Sequence, residues 1–243
     1  MSSPKKPSPA KISEIVWKVY LAELSKGWHG RRMSALEANL CVYGLLSDEL
    51  HEPLGDALRR VQRTKVCIDD CAPTAVQASW KPAEIEQLNA CNDYLIFDAR
   101  TRWALMTVLA AMKKQLGNVL ACPFRVLNVR SYVTNPGATG GPFEWHSDGE
   151  AEELLKIMIY LTATDNGGGG LEVDTGGDTS KELQGPAGMW VMLYNSKLRH
   201  RAVAPKQGER LAMEITISPW CHYELEPVSF GLNARHPMFP VGV

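Results

Sequence analysis

From residue 124 onward, short apolar segments alternate with turns rich in Gly, Pro and Asn. Segments of this length and spacing are typical of antiparallel strands in a sandwich or barrel. The predicted strands are 124–132, 156–161, 171–173, 189–194 and 210–218. The second half of the chain is therefore predicted to be mainly β.

Before residue 120, apolar residues recur three or four positions apart, which is typical of amphipathic helices. This spacing predicts helices at 12–26, 34–46, 82–91 and 105–116, the last of them ending near Gly117. The second of these helices has the clearest start, because Ser34 and Glu37 have the spacing of a capping box. The first half of the chain is therefore predicted to be mainly helical.

The length of 243 residues and an apolar content of 45% are sufficient for one large core. No linker rich in Pro and Ser separates the two halves. We therefore expect a single domain over 1–243, in which a helical support region over 1–120 packs on a β core over 121–220. Residues 221–243 would form a C-terminal extension.

The charges nearly cancel, with 26 basic and 27 acidic residues, and no stripe of basic and aromatic residues is evident. This balance disfavours nucleic acid as a partner. The first residues lack the apolar region of a signal peptide, and no run approaches the roughly 20 apolar residues of a membrane span. We expect a cytoplasmic protein without a membrane span.

The residues best suited to chemistry are His146 and Asp148, which stand two positions apart. In an extended strand such residues point to the same face, so an imidazole and a carboxylate can reach one ion. A second imidazole from His200 would complete a set of two histidines and one carboxylate. That set leaves coordination positions open and suits iron(II) oxygen chemistry, whereas a structural zinc site is closed by four protein ligands.

Arg210 begins a strand in which large aliphatic residues alternate with smaller or polar ones. The alternation places the aliphatic residues on one face and Arg210 on the other. A guanidinium group in a barrel interior is costly unless an anion pairs with it, and a dicarboxylate cosubstrate would supply that anion. Considered alone, Arg210 is equally compatible with an exposed strand end.

Taken in order, these motifs resemble the core of the 2-oxoglutarate- and iron(II)-dependent dioxygenases. The matching features are His146-x-Asp148, the strand 157–161, the Gly-rich turn 165–171, the strand ending at Tyr194, His200, and Gly208-Glu209-Arg210. The resemblance covers about residues 124 to 220 and is strongest to the prolyl-hydroxylase-like and phytanoyl-CoA-hydroxylase-like branches. It implies a double-stranded β-helix (a jelly roll, cupin-like) with helices packed on one side.

The resemblance also implies cofactors and a reaction. His146, Asp148 and His200 would bind Fe(II), 2-oxoglutarate would chelate the iron, and O₂ would take the remaining position. Arg210 would bind the far carboxylate of 2-oxoglutarate, which would be decarboxylated to succinate and CO₂. The expected activity is hydroxylation of an unactivated C–H bond.

Two further residues are candidates for contacts to 2-oxoglutarate. The resemblance implies that the strand before His146 contributes polar contacts to 2-oxoglutarate. Tyr132 is the first choice and Asn128 the second, since both lie on one face of that strand, and a purely structural role stays open for each. Some relatives have a helper hydroxyl, from Ser or Thr, two residues after the arginine, but Ala212 stands there in this chain. Another group must therefore assist the carboxylate.

The substrate is expected to be a small molecule. The basic residues Lys197, Arg199 and Arg201 flank His200 and would favour an anionic substrate, although such runs are usually just solvated. Two alternatives stay open: a hydroxylase of peptide or protein side chains, and a cupin-like protein that binds metal without turnover. The sequence gives no indication of the oligomeric state.

Overall fold

The computed structural model describes residues 41–65, 82–120, 124–148 and 154–219. In these residues, ten strands form two antiparallel sheets. The strands are β1 (Cys41–Leu45), β2 (Arg63–Thr64), β3 (Asn92–Leu95), β4 (Phe124–Thr134), β5 (Leu155–Tyr160), β6 (Leu171–Gly176), β7 (Thr179–Leu183), β8 (Met189–Leu193), β9 (His200–Ala202) and β10 (Arg210–Pro219). The large sheet has the order β1-β8-β5-β10-β4-β3-β2, and the small sheet has the order β7-β6-β9.

Three α-helices and one short 3-10 helix (Gly141–Phe143) accompany the sheets in the described part of the chain. The α-helices are α1 (Asp48–Leu58), α2 (Pro82–Cys91) and α3 (Ala99–Leu120). Helix α1 begins after Ser47. The acidic residues Asp48 and Glu49 in its first turn stabilise the helix, because they interact favourably with the positive end of its dipole. It packs against α3. None of the helices in the described ranges combines the length and apolar character needed to cross a membrane.

The large sheet has an apolar core on each of its faces. On the outer face, residues of β5 and β10 such as Ile157 and Ile215 pack against Leu54 of α1 and Leu105 of α3. On the inner face, residues of β5 and β8 such as Met158 pack against β6 and β7 of the small sheet. The two sheets therefore face each other in a jelly-roll-like arrangement, and the helices cover one side.

The five strands predicted in the second half of the chain are all present in β4, β5, β6, β8 and β10. The alternation along β10 is also as predicted, because its aliphatic residues lie in the outer core. Strands β7 and β9 were missed, since β7 is mostly exposed and β9 has only three residues. Short strands without an apolar alternation give little sequence signal.

The helical prediction for the first half is only partly right. The helix 82–91 matches α2, and 105–116 lies inside α3, which continues past Gly117. The predicted helix 12–26 lies outside the described residues. Strands β1, β2 and β3 of this half join the large sheet, so its described part is not purely helical.

The predicted helix 34–46 is wrong at its end, where 41–45 form strand β1. The reason is tertiary: β1 pairs with β8, and Gly44 lies against Trp190, so close that an added Cβ would be 2.6 Å from its ring. A capping-box signal cannot outweigh an available strand partner, because local propensities are small.

One glycine in the loop before β6 allows a specific stability prediction. Gly169 has a φ of +79°, and an added Cβ would lie 2.4 Å from the carbonyl oxygen of Val203. We expect Gly169→Ala to lower the free energy of unfolding by about 2 kcal/mol or more, because it combines a left-handed backbone with a steric clash. Chemical denaturation measures this change.

The matched control is Gly55→Ala in α1, where an added Cβ would meet only the Arg59 side chain at 3.6 Å. Alanine also favours a helix over glycine, so this variant should be at least as stable as the wild type. An unchanged denaturation midpoint for Gly169→Ala would contradict the prediction.

Candidate metal centre

Backbone pairing brings two histidines that are far apart in the sequence side by side. The His146 amide donates to the His200 carbonyl at 3.0 Å, and the His200 amide donates to the His146 carbonyl at 2.8 Å. This isolated antiparallel bridge places the two imidazole rings 4.5 Å apart between their centroids. His146 lies in this single bridge and not in a longer strand, which differs from the extended strand that the sequence predicted.

Asp148 is positioned by the segment that follows β8. Its amide donates to the Asn195 carbonyl at 2.8 Å, and its Oδ1 lies 3.4 Å from Nε2 of His146. The ligand atoms of His146, Asp148 and His200 all lie within 4.8 Å of one another. In the described ranges, this cluster contains no fourth His, Cys, Asp or Glu.

The two imidazoles are fixed in the tautomer that suits metal binding. Nδ1 of His146 donates to the Glu144 carbonyl at 2.7 Å, and Nδ1 of His200 donates to the Leu198 carbonyl at 2.8 Å. Because a carbonyl can only accept, each Nδ1 carries a proton and Nε2 remains for a metal. Such bonds also orient the rings of metal-binding histidines.

The protonation states depend on burial and on nearby charges. Burial lowers the pKa of His200 to about 4, so this imidazole is neutral at neutral pH. Burial also acts to lower the pKa of His146, but the bonds to Asp148 and to the Glu144 carbonyl outweigh it and raise the pKa. Burial acts to raise the pKa of Asp148, yet the charge and hydrogen bond of Lys156 together with His146 and His200 outweigh it and hold that pKa well below its usual range.

This donor set fits iron(II). Two imidazole nitrogens and one carboxylate oxygen form the set that iron-dependent oxygenases use, and three positions stay open for other ligands. A closed four-ligand zinc site is not compatible with the described cluster. The cluster can therefore hold a divalent ion that also binds a chelating molecule.

Arg210 is buried with only 2% of its surface exposed. Its Nη1 donates to the carbonyls of Gly169, Gly170 and Val203, and its Nη2 donates to Oγ1 of Thr134. Its Nε is buried without a hydrogen-bond partner. No carboxylate of the described residues pairs with this guanidinium, so Nε and the second N–H of Nη2 remain for an external anion.

Two buried tyrosines lie beside Arg210 on the inner face of the large sheet. Tyr132 of β4 and Tyr160 of β5 both pair across the sheet with Ala212. Burial raises the pKa of both phenols, so they stay protonated and can donate. The sequence prediction named Tyr132 and missed Tyr160, whereas the Asn128 side chain lies outside the described residues.

The sequence prediction also missed a chain of buried charges beside Asp148. Lys156 contacts Oδ2 of Asp148 and lies 3.4 Å from Glu214, which pairs with Arg130 at 2.6 Å. A sequence signal existed, because Lys156 and Glu214 occupy inward positions of strands that are otherwise mostly apolar. A charge at such a position indicates a buried partner.

Two of the basic residues that flank His200 do not supply free positive charge. The guanidinium groups of Arg199 and Arg201 lie 5.4 and 4.8 Å from the Trp145 ring. They pair with Asp174 and Glu172, at 3.7 and 2.7 Å. Because β9 alternates its side chains, Arg201 points away from the face that carries His200. These arginines therefore give no support for an anionic substrate.

No protein-family model matches the sequence. No curated protein matches it either. The structure is nevertheless similar to solved oxygenase structures at low sequence identity. A prolyl-4-hydroxylase from Pseudomonas putida is 15% identical, with a TM-score of 0.55 over 78% of this chain and 98% of the other.

Two further structures extend this comparison. A 2OG-Fe(II) oxygenase family oxidoreductase from Burkholderia pseudomallei is 11% identical, with a TM-score of 0.56 over 83% of this chain and 91% of the other. The α-ketoglutarate-dependent epimerase SnoN of nogalamycin biosynthesis is 16% identical, with a TM-score of 0.54 over 82% and 83% of the two chains. This chain therefore shares the fold of these non-haem oxygenases.

Proposed function

We propose that this chain is an iron(II)- and 2-oxoglutarate-dependent oxygenase that hydroxylates an unactivated C–H bond of a small molecule. In that reaction 2-oxoglutarate is decarboxylated to succinate and CO₂. The observation that carries the proposal is Arg210, a buried guanidinium whose Nε has no hydrogen-bond partner. It projects from the inner face of the large sheet, the face on which Lys156 contacts Asp148. We also propose that the two facing sheets form a double-stranded β-helix.

Each residue of the candidate metal centre has a proposed role. His146, Asp148 and His200 would hold the iron, which when bound supplies oxygen activation with 2-oxoglutarate as the electron donor. The neutral His200 and ionised Asp148 need no proton transfer before they bind a cation. The fixed tautomers mean that neither imidazole has to reorganise.

Arg210 would bind the far carboxylate of 2-oxoglutarate through its Nε/Nη2 edge, with Nη1 held in place by three carbonyls. A fixed guanidinium binds a carboxylate through two charge-assisted hydrogen bonds. Tyr160 is the best candidate for the missing helper hydroxyl, because its ring lies 5.9 Å from the Arg210 guanidinium and it pairs with Ala212. Tyr132 flanks Ala212 on the other side.

The inner core would exclude water from this site. Apolar side chains of β5, β8 and the segment before β9, among them Met158, Val191, Leu193 and Leu198, are almost completely buried between the sheets. A dry environment strengthens the interaction of Arg210 with an anion. It also keeps a reactive site from unproductive reactions with solvent.

The substrate is proposed as a small molecule, and a peptide is the second candidate. SnoN is an epimerase of nogalamycin biosynthesis. A prolyl hydroxylase from Trichoplax adhaerens, solved with a peptide fragment, has a TM-score of 0.55 and 10% identity to this chain. A test panel must therefore contain both classes.

The direct test measures succinate formed from 2-oxoglutarate by purified protein with Fe(II), ascorbate and oxygen. We expect slow succinate release without substrate and faster release with a substrate, whose mass increases by one oxygen. Protein from which a chelator has removed the iron should release no succinate. A protein that binds metal but gives no succinate with any panel member would favour the alternative of a non-catalytic metal-binding protein.

A further inference from the structure

Lys156 is an unusual neighbour for a candidate metal ligand. It lies on β5, faces the inner core together with Met158 and Tyr160, and is buried, with 7% of its surface exposed. Its ammonium group contacts Oδ2 of Asp148. A buried lysine is rare unless it is paired, so this contact is a specific feature of the site.

Two donors occupy the same oxygen of Asp148. Oδ2 accepts from Nζ of Lys156 and also from Nδ2 of Asn195, the latter at 3.0 Å. Oδ1 instead lies beside Nε2 of His146, at 3.4 Å. The two oxygens are therefore distinguished, and Oδ1 is the one that faces the other candidate ligands.

The lysine is itself held in place. Its Nζ lies 3.4 Å from Oε1 of Glu214, a diagonal neighbour on the adjacent strand, and Glu214 pairs with Arg130 at 2.6 Å. The four side chains from Asp148 to Arg130 alternate in charge and sum to zero. Paired charges of this kind cost more to bury than apolar residues, so they are poor evidence for a purely stabilising role.

We propose that Lys156 is a positioning residue that makes Asp148 a one-oxygen ligand. This inference rests on the proposed iron site. With Oδ2 bound to Lys156 and Asn195, the carboxylate can give only Oδ1 to a metal, which preserves three open positions. Without this restraint, the carboxylate can turn both oxygens towards the ion and fill one of the three open positions. Alternatively, it can turn away from the ion.

A single Lys156→Met substitution leaves Glu214 with one partner fewer, and breaking a buried ion pair is strongly destabilising. The double variant Lys156→Met/Glu214→Gln removes one charge of each sign and keeps the sum at zero. It is the main test protein, alongside the single variant. Lys181→Met is the matched control, because Lys181 is an exposed lysine on β7 in the small sheet.

The experiment uses Mn²⁺ alone as the probe and needs no substrate. The number of metal-bound waters is obtained from the broadening of the Mn²⁺ electron paramagnetic resonance signal in ¹⁷O-enriched water. The dissociation constant for Mn²⁺ is measured by calorimetry. We expect three bound waters in the wild type and in Lys181→Met. We expect two in the folded Lys156→Met/Glu214→Gln protein, because the carboxylate, then held at Oδ2 by Asn195 alone, turns both oxygens to the ion.

The outcomes separate this inference from the function it rests on. A folded double variant with three waters overturns the positioning role, whatever its affinity. The alternative result is a folded double variant that binds Mn²⁺ at least tenfold more weakly than the wild type, too weakly to be loaded. That result supports the positioning role, because the carboxylate is then no longer held towards the ion. A wild-type protein that binds no Mn²⁺ overturns the iron site and this inference together.

Discussion

His146→Ala is expected to abolish succinate formation while the protein remains folded. The variant keeps only two of the three protein ligands, Asp148 and His200. Its loss of turnover should therefore exceed the about 10- to 100-fold loss that follows removal of a residue that only supports a metal ligand. The side chain of His146 is 31% exposed, so its truncation leaves no large internal cavity. The measurements are turnover, metal affinity and thermal unfolding of the metal-free protein.

His146 is a cleaner choice than His200 for this test. His200 is only 4% exposed, and its loss would leave a cavity and an unpaired Leu198 carbonyl, so lost activity could reflect lost folding. Ser147→Ala provides the matched control, because Ser147 is an exposed residue between two candidate ligands. Wild-type turnover in a His146→Ala protein would remove this residue from the ligand set.

The pattern of apolar residues predicted the strands of the second half well, because these strands are buried. Strands β5, β8 and β10 lie at the centre of the large sheet and carry long apolar segments, which a buried position requires. Strand β1 carries a weaker pattern, and whether it pairs with β8 depends on contacts more than 140 residues away. Local sequence contains no information about such a partner.

The candidate ligands were also accessible to sequence reasoning, but for a different reason. The spacing of His146 and Asp148 is a local property of an extended chain, whereas the proximity of His200 follows only from the resemblance to a family. Lys156 and Tyr160 were missed, because their importance lies in what they contact across the sheet. Residues that support a site through other residues have no spacing rule of their own.

The charge around the centre illustrates the same limit. Along the chain, Arg199 and Arg201 form a basic run around His200, but in the fold they pair with Asp174 and Glu172 on the small sheet. Arg130 and Lys156 belong to no run of basic residues, yet Lys156 contacts Asp148 and Arg130 pairs with Glu214 beside it. Net charge and local charge runs therefore do not predict which charges face a cavity.

Arg210 is best tested by Arg210→Lys, which keeps the positive charge but removes the two-pronged edge. Arg210→Ala would remove a donor from three backbone carbonyls, so its effect on binding would be mixed with a loss of stability. The lysine variant should weaken 2-oxoglutarate binding by roughly 10-fold or more, because a hydrogen bond to a charged group contributes about 1.5–3 kcal/mol. Calorimetry with the metal-loaded protein measures this affinity.

The arginine prediction also specifies what should not change. Arg210 contacts none of the three candidate metal ligands, so the affinity for Mn²⁺ alone should stay within a factor of about 2 of the wild-type value, a difference of less than 0.5 kcal/mol. Tyr160→Phe should weaken 2-oxoglutarate binding less than Arg210→Lys, since it removes one neutral donor. Equal 2-oxoglutarate affinity in the wild-type and Arg210→Lys proteins would mean that this guanidinium binds another anion. The far carboxylate of 2-oxoglutarate would then need a different partner.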